Sequence, residues 1–554
     1  MKSNQKLQDI IAAKDEEIAA KDSLIAELAA RQTEADASNA ELKARIDELE
    51  ARLQRYAEQF KLFQSRRFSP SSEKNDAVEQ IMLFNEAEQI EGIAETEQAI
   101  DVVEAESAVE HERNATPRKK RSPRKEIDLF LFPADEVIEI GADEECHCPA
   151  CGGVMDFMKF EAHRKLEIVP AQMKVIETRQ AVHSCPYCKK ASDGETPTPI
   201  VRAELPEPLV KGSVATPSAV AYIMTQKYLM HLPLYRQEQE FARLGYPLSR
   251  QTMSNWLVAC SEDWLQPIYD RLRWHLLQHD VLHADETSLQ VLHEPGKEAT
   301  SLSYMWVYRT SGDTDQHVIL FEYQSSRSHL HPRRFLTSFA GYLHADGYAG
   351  YHKLQHEIKV IGCWAHLRRK IWDALRVIPE KERAGTVPQE AIDRIAYLFH
   401  LEEVWKDFPP EERHELRLAE SKPRAEALFA WLTEQYQILP NSVMGKAIRY
   451  AHEQKQWLMN VYLDGRLELS NNRIENSIRP FALGRKNWLF SNTPKGANVS
   501  SVIYSIIETA LANGLKPFEY LEFLLATVPQ TQLSALDALL PWGEAVPQSC
   551  RMQN

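Results

Sequence analysis

The chain has 554 residues, which at about 150 residues per domain predicts three or four domains and excludes a single small module. Its 44% hydrophobic and 26% charged content is typical of a soluble globular protein, and no charge-free run reaches the ~18 residues of a membrane span. The N-terminal segment lacks the apolar stretch of a secretory signal. We therefore expect a cytoplasmic protein with no membrane partner and with its eight cysteines reduced.

The first 75 residues have the pattern of a coiled coil. From Leu7 to Phe63 a heptad repeat continues without a slip. One core position of the repeat is mainly Ile, as at Ile11, and the other is often Leu, as at Leu28. This combination favours two parallel strands, and a polar residue in the seam, Asn39, would fix their register. The alternative is a long solvated helix that packs within its own chain. We expect residues 1–75 to form a homodimer or a higher oligomer.

The net charge of −15 is unevenly distributed. Asp76 to Glu112 contains about a dozen acidic residues and no Lys or Arg, and a basic cluster interrupted by prolines follows it. Such a composition cannot offset the entropy of ordering, so residues 76–125 are predicted to be an acidic, then basic, flexible linker. The basic cluster could contact phosphates or could simply be a solvated tether.

Two matched Cys-Pro-x-Cys motifs predict a structural zinc site. Their cysteines are Cys148 and Cys151, then Cys185 and Cys188 after 33 intervening residues. Four thiolates at this spacing can close a tetrahedral site, whereas buried free cysteines or a redox pair are the alternatives. Apolar segments between the motifs, at 157–160, 166–169 and 173–176, predict strands. Residues 126–205 are therefore expected to form a small zinc-binding β module.

Residues 206–278 are helical in pattern and include a possible helix-turn-helix. Leu234 to Leu244 predicts one helix, Gly245 marks a turn, and Ser249 is a good N-cap for a second helix. That second helix would present Arg250 to DNA. Two helices that simply pack against each other would give the same outline.

The segment 281–365 predicts three strands, a helix near Arg333 to Phe339, and two more strands, which is the order of a ribonuclease H-like fold. About 130 residues that follow Asp346 are helical in pattern and too long for a loop. We therefore expect a multidomain α+β protein in which an all-helical insertion interrupts a ribonuclease H-like α/β core. The expected parts are a core at 279–375 and 460–510, the insertion at 376–459 and a helical tail at 511–554.

Three carboxylates are candidates for the chemistry. Asp285 and Asp346 each follow His-Ala on a predicted strand, so they converge if these strands are neighbours. Glu475 is the third candidate, on a helix that Ser470 could cap and that carries Arg479 on the same face. Convergent carboxylates suit two magnesium or manganese ions, which activate a nucleophile and stabilise the leaving oxygen. The alternatives are turn residues for the aspartates and a surface Glu475–Arg479 pair.

Basic residues around these carboxylates are candidates for binding DNA phosphates. Arg479, Arg485 and Lys486 follow Glu475 in sequence. Arg368 and Arg369 follow the last predicted strand, beside His366, which could be part of a basic helix face or a core histidine. Trp488 and Phe490 could stack on an unpaired base, although packing in the core is the commoner fate of such aromatics.

These motifs resemble those of the Insertion Sequence 66 type of transposase nearly end to end. The similar segments are His283 to Thr287, Asp346 to Tyr351, Gly362 to Lys370, Asn471 to Pro480 and Gly484 to Phe490. The coiled coil, the two Cys-Pro-x-Cys motifs and the C-terminal Asn513 to Leu521 also fit. The resemblance implies a DDE transposase in which Asp285, Asp346 and Glu475 bind the catalytic metals. It also implies small accessory proteins encoded beside it.

The sequence therefore predicts an enzyme of the nucleoid that cleaves the ends of an insertion sequence in double-stranded DNA and joins the 3′ hydroxyls to target DNA. Two alternatives stay open. One is a DNA-binding regulator that keeps the fold without the chemistry, and the other is a nuclease of the same fold that does not join strands.

Overall fold

The structure is a computed structural model that describes residues 207–436 and 442–552 without a break. Before residue 207 it describes 162–164, 172–185 and 200–205, together with scattered single positions. The predicted linker at 76–125 and most of the predicted coiled coil lie outside the described residues. The coiled-coil positions that are described are helical and exposed: Lys14, Lys21, Arg31, Gln32, Lys43 and Arg45.

The chain divides into two compact units, of which Ile100–Pro206 is the smaller. Its described strands are β1, Val182–Ser184, and β2, Ile200–Arg202, which pair antiparallel. All six of their residues are exposed. In the described part of this unit, regular pairing is thus confined to three residues on each strand.

The strand predicted at 173–176 is wrong. Residues 172–181 have irregular backbone, and Val175 and Ile176 are 79% and 77% exposed. Their apolar and β-branched composition favours a strand, but composition alone supplies no partner. Pairing with β2 begins only at Val182.

The larger unit comprises Met1–Ala99 and Glu207–Asn554, and its part from Glu207 onward begins with four helices. They are α1, Pro217–Tyr228, α2, Leu234–Arg243, α3, Arg250–Cys260, and α4, Gln266–Leu276, with a π-helical turn, Ser261–Leu265, before α4. The helix–turn–helix outline is confirmed. Gly245 forms the turn at φ +87°, a value that favours glycine, and the Ser249 hydroxyl caps α3 by accepting a hydrogen bond from the amide of Thr252.

A five-stranded sheet is the centre of the larger unit, with the strand order β5-β4-β3-β6-β7. The strands are β3, Val281–Gln290, β4, Leu302–Thr310, β5, Ile319–Gln324, β6, Gly341–Ala345, and β7, Ile358–Gly362. β3, β4 and β5 pair antiparallel, whereas β6 pairs parallel with both β3 and β7. Three strands therefore precede the helix and two follow it, as the sequence predicts.

The helix between β5 and β6 is α5, Leu330–Phe335, which ends earlier than the predicted Arg333 to Phe339. Its end has a local cause. The Thr337 hydroxyl donates a hydrogen bond to the carbonyls of Arg333 and Arg334, at 3.2 and 2.8 Å, in place of further helical turns.

The next α-helices of the described chain are α6, Trp364–Arg376, α7, Val387–Trp405, α8, Pro410–Leu416, α9, Lys422–Tyr436, and α10, Val443–Met459. A π-helical turn lies between α8 and α9. The apolar faces of α6, α7, α9 and α10 share one core with Val281 and Ile361 of the sheet, and Trp364 and Phe429 are among its largest members. The predicted insertion is therefore helical where it is described, and it packs on the sheet.

Three further α-helices follow in the described chain: α11, Asn472–Trp488, α12, Pro494–Ala512, and α13, Pro517–Thr527. Short 3-10 helices at Val528–Gln530, Leu533–Leu539 and Gln548–Cys550 come after them. α12 covers the edge strand β5. The hydroxyls of Ser505 and Thr509 accept hydrogen bonds from the backbone amides of Phe321 and Ile319, at 2.8 and 3.0 Å. These bonds satisfy edge groups that would otherwise be open to another strand. Among the described residues, no helix has both the length and the apolar composition to span a membrane.

Candidate active site

The parallel pairing of β3 with β6 brings the two candidate aspartates together. His283 pairs with His344 in this register, so Asp285 and Asp346, each two residues further on, lie at the same level of the sheet. Asp285 is within β3, but Asp346 lies just after β6, which ends at Ala345, and not on the strand itself. The amide of Tyr348 donates to Asp346 Oδ1 at 2.9 Å. A local turn thus fixes this carboxylate.

A third carboxylate that the sequence did not suggest lies beside the aspartates. Oxygen atoms of Asp285, Glu286 and Asp346 lie within 4.8 Å of one another. Adjacent residues of a strand point to opposite faces, so periodicity alone does not predict Glu286 as a partner of Asp285. Both Glu286 oxygens are hydrogen-bonded, one by Arg327 Nε at 2.7 Å and the other by the hydroxyl of Tyr351 at 2.6 Å.

The surroundings of Asp285 strongly perturb its carboxyl group. The pKa of Asp285 is raised well above its usual range, first by burial and then by the negative charges of Asp346, Glu286 and Glu475. A buried group of this kind favours either a proton or a cation. The ligand atoms that Asp285, Glu286 and Asp346 offer are all carboxylate oxygens, which magnesium and manganese prefer.

Glu475 lies in the first turn of α11 and is 5% exposed, so the alternative of a surface glutamate is wrong. Its carboxylate faces α6, where Arg369 Nη2 is 3.3 Å from Oε2 and His366 Nε2 is 3.8 Å from Oε1. Its ligand atoms lie within 4.8 Å of those of Cys363 and His366. Its negative charge also contributes to the raised pKa of Asp285, after burial and the charges of Asp346 and Glu286.

The sequence predicted Ser470 as the N-cap of α11, but the N-cap is Asn471. The Asn471 side chain bonds outward to β3 instead of capping its own helix. Its Oδ1 is 2.8 Å from His283 Nδ1, and its Nδ2 donates to the carbonyl of Ala284 at 3.0 Å. These two bonds fix the start of the helix that carries Glu475 against the strand that carries Asp285.

Cys363 and His366 are both uncharged beside Glu475. Burial raises the pKa of the Cys363 thiol to about 12, and burial with the charges of Arg369 and Lys370 lowers the pKa of His366 to about 3. A thiol that keeps its proton is a poor metal ligand. With a guanidinium also at 3.3 Å, this group is better suited to holding the Glu475 carboxylate than to binding a cation.

The candidate DNA-binding residues have very different surroundings. Lys486 is exposed, and the Arg250 side chain is 64% exposed at the start of α3. Arg369 instead faces Glu475, and Arg485 Nη1 donates to the Thr287 hydroxyl at 3.2 Å and to the carbonyl of Ser288. The other two, Arg368 and Arg479, are partly buried.

The aromatic residues after α11 also differ. Trp488 packs edge-on against Phe481, with ring centroids 5.4 Å apart, whereas Phe490 is 42% exposed. In the zinc motifs, Cys151 is exposed and Cys185 half-buried, while Cys148 and Cys188 lie outside the described residues.

Comparison with known families agrees with the motifs. The profile "Transposase IS66 family" matches residues 212–499, which is more than half of the chain and includes all three candidate carboxylates. The chain belongs to the IS66 transposase family. The family's zinc-finger binding domain matches residues 145–189, and its C-terminal element matches 505–542. A profile described as "Transposase C of IS166 homeodomain" matches residues 55–135.

Two relatives extend the similarity over most of the IS66 transposase. Both are uncharacterized proteins of Sinorhizobium fredii (strain NBRC 101917 / NGR234). The protein y4qI is 30% identical over 445 residues, 77% of this chain and 78% of its own. The protein y4jD is 30% identical over 428 residues, 74% of this chain and 80% of its own. As a family member, the chain carries DNA-binding and zinc-finger domains of an insertion-sequence transposase.

Proposed function

We propose that this transposase cleaves DNA at the ends of its insertion sequence and joins the freed 3′ hydroxyls to target DNA, with Asp285, Asp346 and Glu475 as its catalytic triad. The observation that carries the proposal is the convergence of these carboxylates. The β3–β6 register brings the aspartates together, and α11 brings Glu475 close enough to add its charge to the burial and the nearer carboxylates that raise the pKa of Asp285.

The topology of the sheet supports a ribonuclease H-like core. Three antiparallel strands, a helix and two parallel strands occur in the order that such a fold requires, with β3 in the centre of the sheet. Asp285 lies on that central strand and Asp346 directly after its parallel neighbour. The helical insertion separates these residues from Glu475 in sequence without separating them in space.

The residues present fit divalent metal ions, because carboxylate oxygens converge there, and burial together with the neighbouring negative charges raises the pKa of Asp285. Asp285, Asp346 and Glu475 would hold two magnesium or manganese ions. When bound, such ions would activate a water or 3′ hydroxyl and would stabilise the leaving oxygen. The chain's part is to fix its carboxylates beforehand, through the Tyr348 amide at Asp346 and Arg369 at Glu475.

The remaining parts are assigned supporting roles. Cys148, Cys151, Cys185 and Cys188 would hold a structural zinc ion within the zinc-finger domain. The coiled coil would pair two subunits, so that two element ends are held together. The exposed Arg250 and Lys486 would contact DNA phosphates, with small accessory proteins of the same element assisting on the nucleoid.

The test is magnesium-dependent cleavage and joining on the DNA that flanks the gene, comparing the purified full chain with its Asp346→Asn variant. We expect site-specific nicks and joined products from the unmodified chain only, with DNA binding retained by the variant. Nicks without joined products would support a nuclease. Binding without breakage by either protein, even after the neighbouring small proteins are added, would support a regulator.

A further inference from the structure

A cation, Arg327, lies beside the carboxylates of Glu286 and Asp346. Arg327 is in the loop between β5 and α5, and its Nε donates to Glu286 Oε1 at 2.7 Å. Its Nη2 is 3.9 Å from Asp346 Oδ2. No local sequence motif links Arg327 to β3 or β6, so the pattern of the sequence does not predict its place in the site.

The carboxylate that holds Arg327 is itself held firmly. The Glu286 side chain is fully buried, and its second oxygen accepts a hydrogen bond from the hydroxyl of Tyr351 at 2.6 Å. Tyr351 is also fully buried. The Arg327 side chain, in contrast, is 22% exposed, so this ion pair has one partner in the core and one that reaches the surface of the site.

The plane of the guanidinium is fixed as well. It lies over the ring of Tyr348, 4.3 Å from the ring centroid, and the Tyr348 hydroxyl donates to the backbone carbonyl of Arg327. Tyr348 is the same residue whose amide donates to Asp346. One turn therefore orients both a proposed metal ligand and the arginine beside it.

We propose that Arg327 is a catalytic residue that binds the scissile phosphate, and that Glu286 and Tyr351 position it. The inference rests on the proposed function, because it needs a phosphodiester at Asp285 and Asp346. A guanidinium recognises phosphate oxygens with a planar pair of N–H donors, and it stabilises negative charge that develops during the transfer. At 3.9 Å from Asp346, it is within reach of a phosphate bound there.

The variants are Arg327→Gln, which removes the charge, and Arg327→Lys, which keeps the charge but not the planar donors. Arg333→Gln is the matched control, because Arg333 is an exposed arginine on the neighbouring helix α5. Each purified full-length protein is given DNA whose scissile position is either an ordinary phosphate or a methylphosphonate, which lacks one charged oxygen. Thermal unfolding of each variant is measured alongside.

On ordinary DNA we expect Arg327→Gln to cleave about a hundredfold more slowly, the loss typical of one preorganised donor to a transition state. The cleavage rate of Arg327→Lys should lie between those of Arg327→Gln and the unmodified chain. Arg333→Gln should cleave at the rate of the unmodified chain. On methylphosphonate DNA the difference between Arg327→Gln and the unmodified chain should shrink, because the contact is already weakened. Equal losses on both substrates, or no loss at all, would overturn the inference.

If Arg327→Gln fails to fold, Arg327→Lys carries the same comparison. A second measurement does not require cleavage. Ethylation of single phosphates should weaken binding of the unmodified chain at one position, and Arg327→Gln should lose that effect. A chain that shows this contact but never cleaves rejects the proposed function and, with it, the catalytic role of Arg327, whereas cleavage without the contact rejects the inference alone.

Discussion

The imidazole rings of His283 and His344 stack face to face, with centroids 4.4 Å apart and planes 12° from parallel. Burial lowers the pKa of His283 to about 3 and that of His344 well below its usual range, so both rings are neutral. Each lies two residues before a candidate aspartate. The stack therefore keeps two parallel strands in the register that brings Asp285 and Asp346 together.

The same two histidines also connect the strands to the segment that leads to Glu475. His283 Nδ1 is 2.8 Å from Asn471 Oδ1, an oxygen that can only accept, so Nδ1 carries the proton. His344 Nε2 accepts from the amide of Glu468 at 3.3 Å. The repeated His-Ala-Asp motif thus contributes both the carboxylates and the contacts that align them with α11.

Replacing Arg369 tests whether Glu475 needs its cationic partner. In Arg369→Gln the carboxylate loses the guanidinium 3.3 Å from Oε2, so we expect cleavage to slow by about ten- to a hundredfold, as when an outer partner of a metal ligand is removed. The magnesium concentration for half-maximal cleavage should change too, and Arg369→Lys should recover part of the rate. Cleavage by purified protein at several magnesium concentrations measures both.

Arg394→Gln is the control for this experiment, because Arg394 forms an exposed pair with Glu390 one turn away on α7. It should cleave like the unmodified chain. An Arg369→Gln protein that is equally active at every magnesium concentration would show that the pair with Glu475 has no part in the chemistry.

The two basic residues at the end of α11 should behave differently when replaced. Arg485 is half-buried and donates to Thr287 and Ser288, so Arg485→Ala should lower the unfolding temperature by removing bonds between α11 and β3. Lys486→Ala should leave the unfolding temperature unchanged but weaken DNA binding, and reduce the slope of log affinity against log salt by about 1. If Arg485→Ala weakened DNA binding without lowering the unfolding temperature, and Lys486→Ala did the opposite, Arg485 would be the DNA-binding residue and Lys486 the structural one.

How much of the site the sequence predicted depends on the range of the interactions involved. The convergence of Asp285 and Asp346 followed from a repeated local motif and the strand order, and the helix of Glu475 followed from its own periodicity. Arg369 contacts Glu475 from 106 residues away, a pairing that only the packing of α6 against α11 creates. The inward direction of Arg485 and the burial of Glu286 likewise depend on neighbours that local patterns do not specify.

The segment that leads to α11 is anchored by a buried arginine of the helical insertion. Arg417 is 1% exposed, forms two bonds with the Glu402 carboxylate at 2.5 and 2.8 Å, and donates to the carbonyls of Asp464, Gly465 and Leu467. Arg417→Met should destabilise the fold by about 3–5 kcal/mol, because it leaves Glu402 and three carbonyls without this donor. Urea unfolding measures the loss.

The double variant Glu402→Gln with Arg417→Met should recover part of this stability, since no unpaired charge remains. As a surface control, Arg424→Gln removes an exposed pair with Glu420 and should change stability by only about 0–1 kcal/mol. If Arg417→Met were no worse than Arg424→Gln, the insertion would not be anchoring this segment.

A buried glutamate on α12 makes stability depend on pH. Burial raises the pKa of Glu508 from 4.5 to about 7, with Arg309 opposing the shift, and its Oε1 makes no hydrogen bond in the described structure. Between these values the folded chain keeps a proton that the unfolded chain releases. The contribution of Glu508 to the free energy of unfolding therefore falls as pH rises from 4.5 to 7.

Glu508→Gln should remove this dependence. We expect it to match the unmodified chain near pH 4.5 and to be more stable above pH 7, by on the order of 3 kcal/mol, since it has no carboxylate to ionise in the core. Glu298→Gln, at an exposed loop position, should follow the unmodified chain at every pH. Urea unfolding at pH 5 and pH 8 measures the difference, and a Glu508→Gln protein that is less stable at pH 8 would show that the ionised carboxylate is stabilised there by Arg309.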